Sequence, residues 1–254
     1  MHLISFDLSG EFAEFSDPSV TSNQTAYYIP SKSAVIGIIG AIIGIKRNIV
    51  GPANWYNDEF LDLLYDTSIG IKMLSEPKKF TYFSNNVSLK ETKKKPYKKE
   101  VLINPKFKIY LTSSEKYLDR IIKVIENRNF RFTPFLGHAY CPAIIENLEK
   151  YTDVKEFKSL PNNVSTSCVV LDEGESYNQN FMLVLEPVTE SRIIIERHLH
   201  HFNEDDSQQT SRLLQMRVLK HWIPIGGSEF RILTDDNRHI SKFVDVGGSI
   251  VCLY

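Results

Sequence analysis

The chain has 254 residues, 42% hydrophobic and 11% aromatic, which supports a buried core in one large domain or two small ones and excludes a disordered chain. Thirty lysines and arginines against 31 acids give a formal net charge of −1, so the strongly basic composition of many nucleic-acid-binding proteins is absent. Three widely separated cysteines (Cys141, Cys168 and Cys252) exclude a disulfide framework. With no signal-peptide pattern at the N-terminus, a cytoplasmic location is expected.

In chain order, Ile4, Phe6 and Leu8 alternate with Ser5 and Asp7, which predicts a strand over 3–8. A polar loop then leads through Pro30, Ser31, Lys32 and Ser33 into twelve consecutive uncharged apolar or small residues, Ala34 to Ile45. Spanning a membrane takes about 20 apolar residues. This run is bracketed by Lys32 and by Lys46 and Arg47, so it predicts a buried core helix rather than a span. Gly37, Gly40 and Gly44 are expected to let another backbone pack close to it. A second short helix is predicted over 57–66, and strands over 69–74 and 106–111.

Between those two strands, residues 78–108 hold ten lysines against Glu91 and Glu100, a segment of +8 in a chain whose remainder therefore sums to −9. Such polarity attracts a polyanion to one face and leaves the other for a protein partner. Thr112 with Glu115 has capping-box spacing, and Tyr117, Leu118, Ile121, Ile122 and Ile125 recur at helical spacing, predicting a helix to about Asn127. Polar, loop-rich sequence from Tyr151 to Ser167 precedes strands near 168–171, 181–185, 192–196, 216–222, 229–233 and 249–253. Strand, helix, strand, long hairpin, strand, helix, strand is the order of a split βαβ unit. The expected architecture is therefore α+β: a ferredoxin-like (RRM-like) domain over 1–150 with a hairpin at about 78–108, then a smaller β-rich region over 151–254.

Four groups of residues carry candidate chemistry. The first turn of the apolar helix offers free N–H groups, the hydroxyls of Ser31 and Ser33 and the Lys32 ammonium to an anion, and a simple N-cap uses the same serines. Ser22, Asn23, Thr25, Tyr27 and Tyr28 in the preceding loop are small polar and stacking groups suited to unpaired bases. In the hairpin, Lys93, Lys94, Lys95, Lys98 and Lys99 are interleaved with Tyr82, Phe83 and Tyr97, a layout that contacts phosphates with lysine and stacks bases on rings; a solvated loop has the same composition. Gly137 and His138 lie in FLGHAYCP, where the glycine permits close approach to a ligand and His138 with Cys141 lacks the further pair a metal site needs. His198, His200 and His201 stand close to Glu204, Asp205 and Asp206, donors a divalent metal accepts, but read first as a polar loop at a protein interface. Neither a nucleotide-binding fingerprint nor a nucleophile elbow is present.

HLISFDLSGEFAEFSDPS, SNQTAYYIPSKSAVIGIIGAIIGI and FRFTPFLGHAYCPAI, in this order, resemble the CRISPR-associated protein 5 family, RAMP-type subunits of the type I interference complexes called Cascade. The resemblance implies a RAMP fold whose long hairpin is a thumb reaching over the guide RNA (crRNA). It places the PSKS stretch near the 5′ handle of that RNA and gives the LGH segment a structural or RNA-contacting role. The implied function is a non-catalytic subunit of an I-B-like complex that caps the handle, docks the large and backbone subunits, and meets target DNA only through the complex. Neither cofactor, metal nor membrane contact is expected. Some family members cut precursor RNA themselves, and in that alternative a metal-independent endoribonuclease would draw its acid–base groups from His138, Lys32 and Tyr28.

Overall fold

Alternation of apolar and polar side chains lays down β1 (Leu3–Ser9), followed by the short β2 (Phe12–Ala13), α1 (Lys32–Ile43), α2 (Asp58–Asp66) and β3 (Ser68–Met73). The long β4 (Lys78–Val87) and β5 (Lys94–Ile103) come next, then β6 (Lys106–Thr112), α3 (Glu115–Glu126) and β7 (Ile144–Tyr151). The computed structural model describes residues 1–17, 20, 24–46, 58–76, 78–87, 94–157, 164–172, 184–188, 192–201, 216–233 and 242–254. Strands β3, β6, β1 and β7 form one antiparallel sheet in that order, with Phe6 opposite Ile109 and Ile109 opposite Ile71. Ile36, Ile39 and Ile42 of α1 and Leu118 and Ile121 of α3 bury their side chains in one cluster with Ile4, Phe6, Leu8, Phe107 and Ile109 of this sheet.

The alternation in β1 suggests a solvated face, yet Ser5 and Asp7 are buried as well. Partners distant in sequence make this possible: Ser5 Oγ donates to Glu149, and Asp7 accepts from Asn147 Nδ2 at 2.9 Å and faces Lys106 Nζ at 3.4 Å.

Helix α1 starts where Ser31, in extended backbone, accepts the Ala34 N–H on its hydroxyl at 3.3 Å. It ends at Gly44, whose φ of 84° closes the last turn through its N–H to Gly40 and Ala41. The three glycines do not act alike, contrary to the expectation of one shared close approach. A Cβ at Gly37 would meet nothing within 4 Å, and one at Gly40 would make ordinary contact with Phe60 at 3.6 Å. Only at Gly44 do a left-handed backbone and an Arg131 side chain 2.8 Å from the ideal Cβ exclude other residues. Gly37→Ala is therefore expected to stabilise the protein by about 0.5–1 kcal/mol and Gly44→Ala to destabilise it by about 1–2 kcal/mol, read from thermal melts. A lower melting temperature for Gly37→Ala would show that this helix face is covered.

Helix α3 begins later than the Thr112–Glu115 capping box predicts. Thr112 ends β6, its hydroxyl donating to His2 O, and the cap position falls on Ser114. The capping acceptor comes from α2 instead, because Asp66 takes both the Ser114 N–H and the Ser113 hydroxyl at 2.8 Å. These bonds hold the Asp66 carboxyl below its ordinary range against the opposing pull of burial.

The C-terminal part is strand-built: β8 (Lys155–Glu156), β9 (Val164–Thr166), β10 (Val170–Asp172), β11 (Val184–Pro187), β12 (Arg192–His201), β13 (Met216–Ile225), β14 (Phe230–Leu233), β15 (Lys242–Val246) and β16 (Ser249–Leu253). They form three-stranded antiparallel groups β10-β13-β12, β11-β14-β9 and β16-β15-β8. The stretch expected to be loop thus contributes two strands, and β15 is a strand that sequence pattern does not predict. Ile69 and Tyr254 exchange both backbone hydrogen bonds at 2.9 Å, joining the C-terminus to β3. Gly70 makes this approach possible, since a Cβ there would lie 2.5 Å from Val251 Cγ1 and 2.9 Å from Cys252 O. The main buried cluster accordingly joins Val169, Leu219, Phe230 and Cys252 to Phe6 and Ile36. Among the described residues no helix is long and apolar enough to cross a membrane.

Candidate nucleic-acid interface

The mouth of α1 combines hydroxyl, backbone N–H and ammonium donors. Ser31 caps Ala34, its hydroxyl lies 3.0 Å from that of Ser33, and the N–H groups of Lys32 and Ser33 are first-turn donors with no intrahelical acceptor. Lys32 is largely buried beside them, and burial alone pushes its ammonium down to about 8. No carboxylate among the described residues offsets that cost. An anion seated at the mouth would supply the missing charge, reinforced by the positive end of the helix.

Several backbone groups tie down the described part of the loop before α1. Gln24 N–H donates to Lys98 O and accepts through its own carbonyl from Glu100 N–H, both at 3.0 Å, so this segment lies along β5. Thr25 O accepts the Asp17 N–H, and Tyr27 N–H donates to Phe15 O. The Tyr27 hydroxyl donates to Asp17 at 3.0 Å, and burial with that carboxylate drives its pKa upward. Tyr28 N–H is shared between both oxygens of Glu196 at 2.9 and 3.0 Å, while Lys79 Nζ sits 4.1 Å from the centre of its ring. Burial and the Glu196, Glu100 and Glu76 carboxylates hold the Tyr28 hydroxyl protonated. Ser22 and Asn23 lie outside the described residues.

The histidines of β12 are strand residues, not the loop expected. His198 is wholly buried, its ring stacked on Tyr27 at 4.0 Å and tilted against His221 at 4.5 Å. Its Nε2 lies 3.2 Å from the same Glu196 that holds Tyr28. The C-terminal sheet therefore positions the loop leading into α1, a role invisible in sequence because Tyr28 and Glu196 stand 168 residues apart. Glu196→Ala is expected to unpin Tyr28 N–H and speed its hydrogen exchange; unchanged protection would show that this contact does not hold the loop.

The β4–β5 hairpin sorts its side chains by register. Phe80 faces Val101, Tyr82 faces Lys99 and Ser84 faces Tyr97 on one side, while Phe83 faces Lys98 on the other. Lys98 and Phe83 are exposed, Phe83 by 72%, giving an aromatic–cation pair open to solvent. Lys99 turns inward and differs from the expectation: its ammonium pairs at 3.3 Å with Glu14, which is only 2% exposed. Lys79, 3.8 Å from Glu100, is also partly engaged. Lys94 and Lys95 lie on β5 with side chains outside the described part, and Lys93 lies outside the described residues.

The turn at 135–142 closes through Leu136 N–H to Cys141 O at 2.7 Å and Cys141 N–H to His138 O at 2.9 Å. Gly137 has φ 87°, and a Cβ on it would fall 2.0 Å from Glu14 O. The close approach expected there for a ligand is made instead to the chain's own backbone. His138 is exposed and stacked on Tyr140 at 4.6 Å, and burial raises the Cys141 thiol to about 11. Tyr82 is 2.7 Å from the Tyr140 hydroxyl and 3.2 Å from Glu14, and burial first, then Glu14, raises it to about 12. Sequence pattern does not single out Glu14, Phe80 or Tyr140; the Phe80–Tyr82 alternation on a strand is their one legible signal.

A crystal structure of a CRISPR protein from Archaeoglobus fulgidus superposes with a TM-score of 0.60 at 15% identity over 99% of each chain, which establishes a shared fold. A CRISPR RNA-guided surveillance complex contains a chain related at TM-score 0.49 and 11% identity over 91% of each chain. No curated protein matches the sequence. The profile of the family described as CRISPR-associated protein (Cas_Cas5) matches residues 3–217, and the chain belongs to that family.

Proposed function

We propose that this chain is a guide-RNA-binding subunit of a type I-B-like CRISPR surveillance complex that caps the 5′ handle without cutting it. The observation that carries the reading is Lys32: a largely buried cation at a helix N-terminus, facing no carboxylate among the described residues, beside two serine hydroxyls. A phosphate of the handle offsets its burial. The antiparallel order β3-β6-β1-β7, with helices between β1 and β3 and between β6 and β7, supports a ferredoxin-like RAMP domain, and the hairpin inserted between β3 and β6 supports a thumb. Lys98 and Phe83 on that hairpin suit a phosphate and a base.

Retention rather than cleavage is favoured by the states of two of the three acid–base candidates. Burial first, then the surrounding carboxylates, make Tyr28 a poor proton donor, and His138 is engaged in a ring stack with Tyr140. The acidic remainder of the chain docks the large and backbone subunits in the cytoplasm, and target DNA is met through the assembled complex. The test is incubation of purified protein with repeat RNA bearing the handle, in EDTA, followed by gel shift and denaturing electrophoresis. The expected result is a shifted but intact RNA. Scission that disappears in His138→Ala would establish the endoribonuclease instead, and absence of any shift would remove RNA binding altogether.

A further inference from the structure

We propose that the His138–Tyr140 ring pair, braced by Tyr82, is a stacking platform for one unpaired nucleobase; this rests on the RNA-binding reading above. The turn that carries the pair is anchored by its ends. Leu136 and Cys141 are fully buried, two internal hydrogen bonds close the loop, and Gly137 seats it against Glu14 O. Between these anchors His138 and Tyr140 are held outward, Tyr140 half exposed, at 4.6 Å and 24° to each other. Rings left in water by so tightly built a turn are presented, and their rotamer entropy is lost before any ligand arrives.

The hydroxyl chemistry narrows the ligand. Tyr82 donates to Glu14 at 3.2 Å, so Tyr140 donates to Tyr82 at 2.7 Å, and Glu14 is neutralised by Lys99 at 3.3 Å. Each polar atom of this chain of bonds has a partner, which leaves the π-face of Tyr140 as its available contact. Phe80, 53% exposed, shares the Tyr82 face of β4 and extends the apolar surface. A flat, uncharged ring is what such a surface accepts, and Lys98 on the opposite face of the hairpin meets the phosphates of the same strand.

The test measures binding of repeat RNA bearing the handle, intact and as a series with one abasic nucleotide at a time, across a range of salt concentrations. For the parent protein one abasic position is expected to cost about 5- to 100-fold in affinity. Tyr140→Leu and His138→Leu should lose a comparable factor on intact RNA, become indifferent to that abasic position, and keep the parent's salt slope because no phosphate contact is removed. Tyr140→Phe, which keeps the ring, should recover most of the loss, and thermal melts of all three check folding. Parent-like affinity in both leucine variants would overturn the platform alone, as would a loss accompanied by a flatter salt slope. Failure of the parent to bind would overturn the RNA reading and the platform together.

Discussion

Lys32→Met is expected to act in opposite directions on folding and binding: a higher melting temperature for the free protein and about 10- to 100-fold weaker binding of handle RNA. Burial, with no counter-charge among the described residues, holds the Lys32 ammonium near 8 against an ordinary 10.5. Replacing it by an uncharged chain of similar shape removes a destabilisation of about 1–3 kcal/mol at neutral pH, allowing for its partial solvation. The pH dependence has a defined sign. Below pH 8 the ammonium is protonated in folded and unfolded chains alike, and its cost is fully present. From about 8 to 10.5 the folded protein releases the proton first, so this cost fades and stability rises with pH. Binding runs the other way, because a phosphate needs the charged form: affinity falls above pH 8 and complex formation takes up a proton. Urea unfolding and RNA titrations at pH 7 and 9 measure both. A Lys32→Met protein that is less stable and binds RNA normally would make this lysine a packing residue.

Much of this site was legible from local pattern. The uncharged run from Ala34 to Ile45 identified α1, the serine at its start identified the cap, and the lysine density between two alternating segments identified the β4–β5 hairpin. What sequence left open depended on contacts between distant residues. Lys98 and Lys99 are equivalent as composition, and only the hairpin register, with Glu14 placed 85 residues away, sends one into solvent and the other into a buried pair. His198 reads as part of a polar cluster until β12 packs it against Tyr27 and His221. Gly37 and Gly40 resemble Gly44 in sequence, whereas only Gly44 has a backbone that requires glycine.

Adjacent lysines on opposite faces of one strand make the sharpest test of this arrangement. Lys99→Met would leave the Glu14 carboxylate, 2% exposed, with the Tyr82 hydroxyl and no counter-charge among the described residues. Breaking a buried pair in this way costs about 3–5 kcal/mol, a fall of about 6–20 °C in melting temperature for a chain of this size. Adding Glu14→Gln should recover much of that loss, since the amide still accepts from Tyr82 and carries no charge to compensate. Lys98→Ser should leave the melting temperature nearly unchanged, because its ammonium is exposed, and should act on RNA instead. Extending it to Lys93, Lys94 and Lys95 should lower affinity stepwise and flatten the salt dependence by about 0.7 for each phosphate no longer neutralised. If the two single substitutions destabilised the fold equally, the hairpin register would be refuted; if the four-lysine variant kept the parent's salt slope, the handle would rest on the α1 mouth alone.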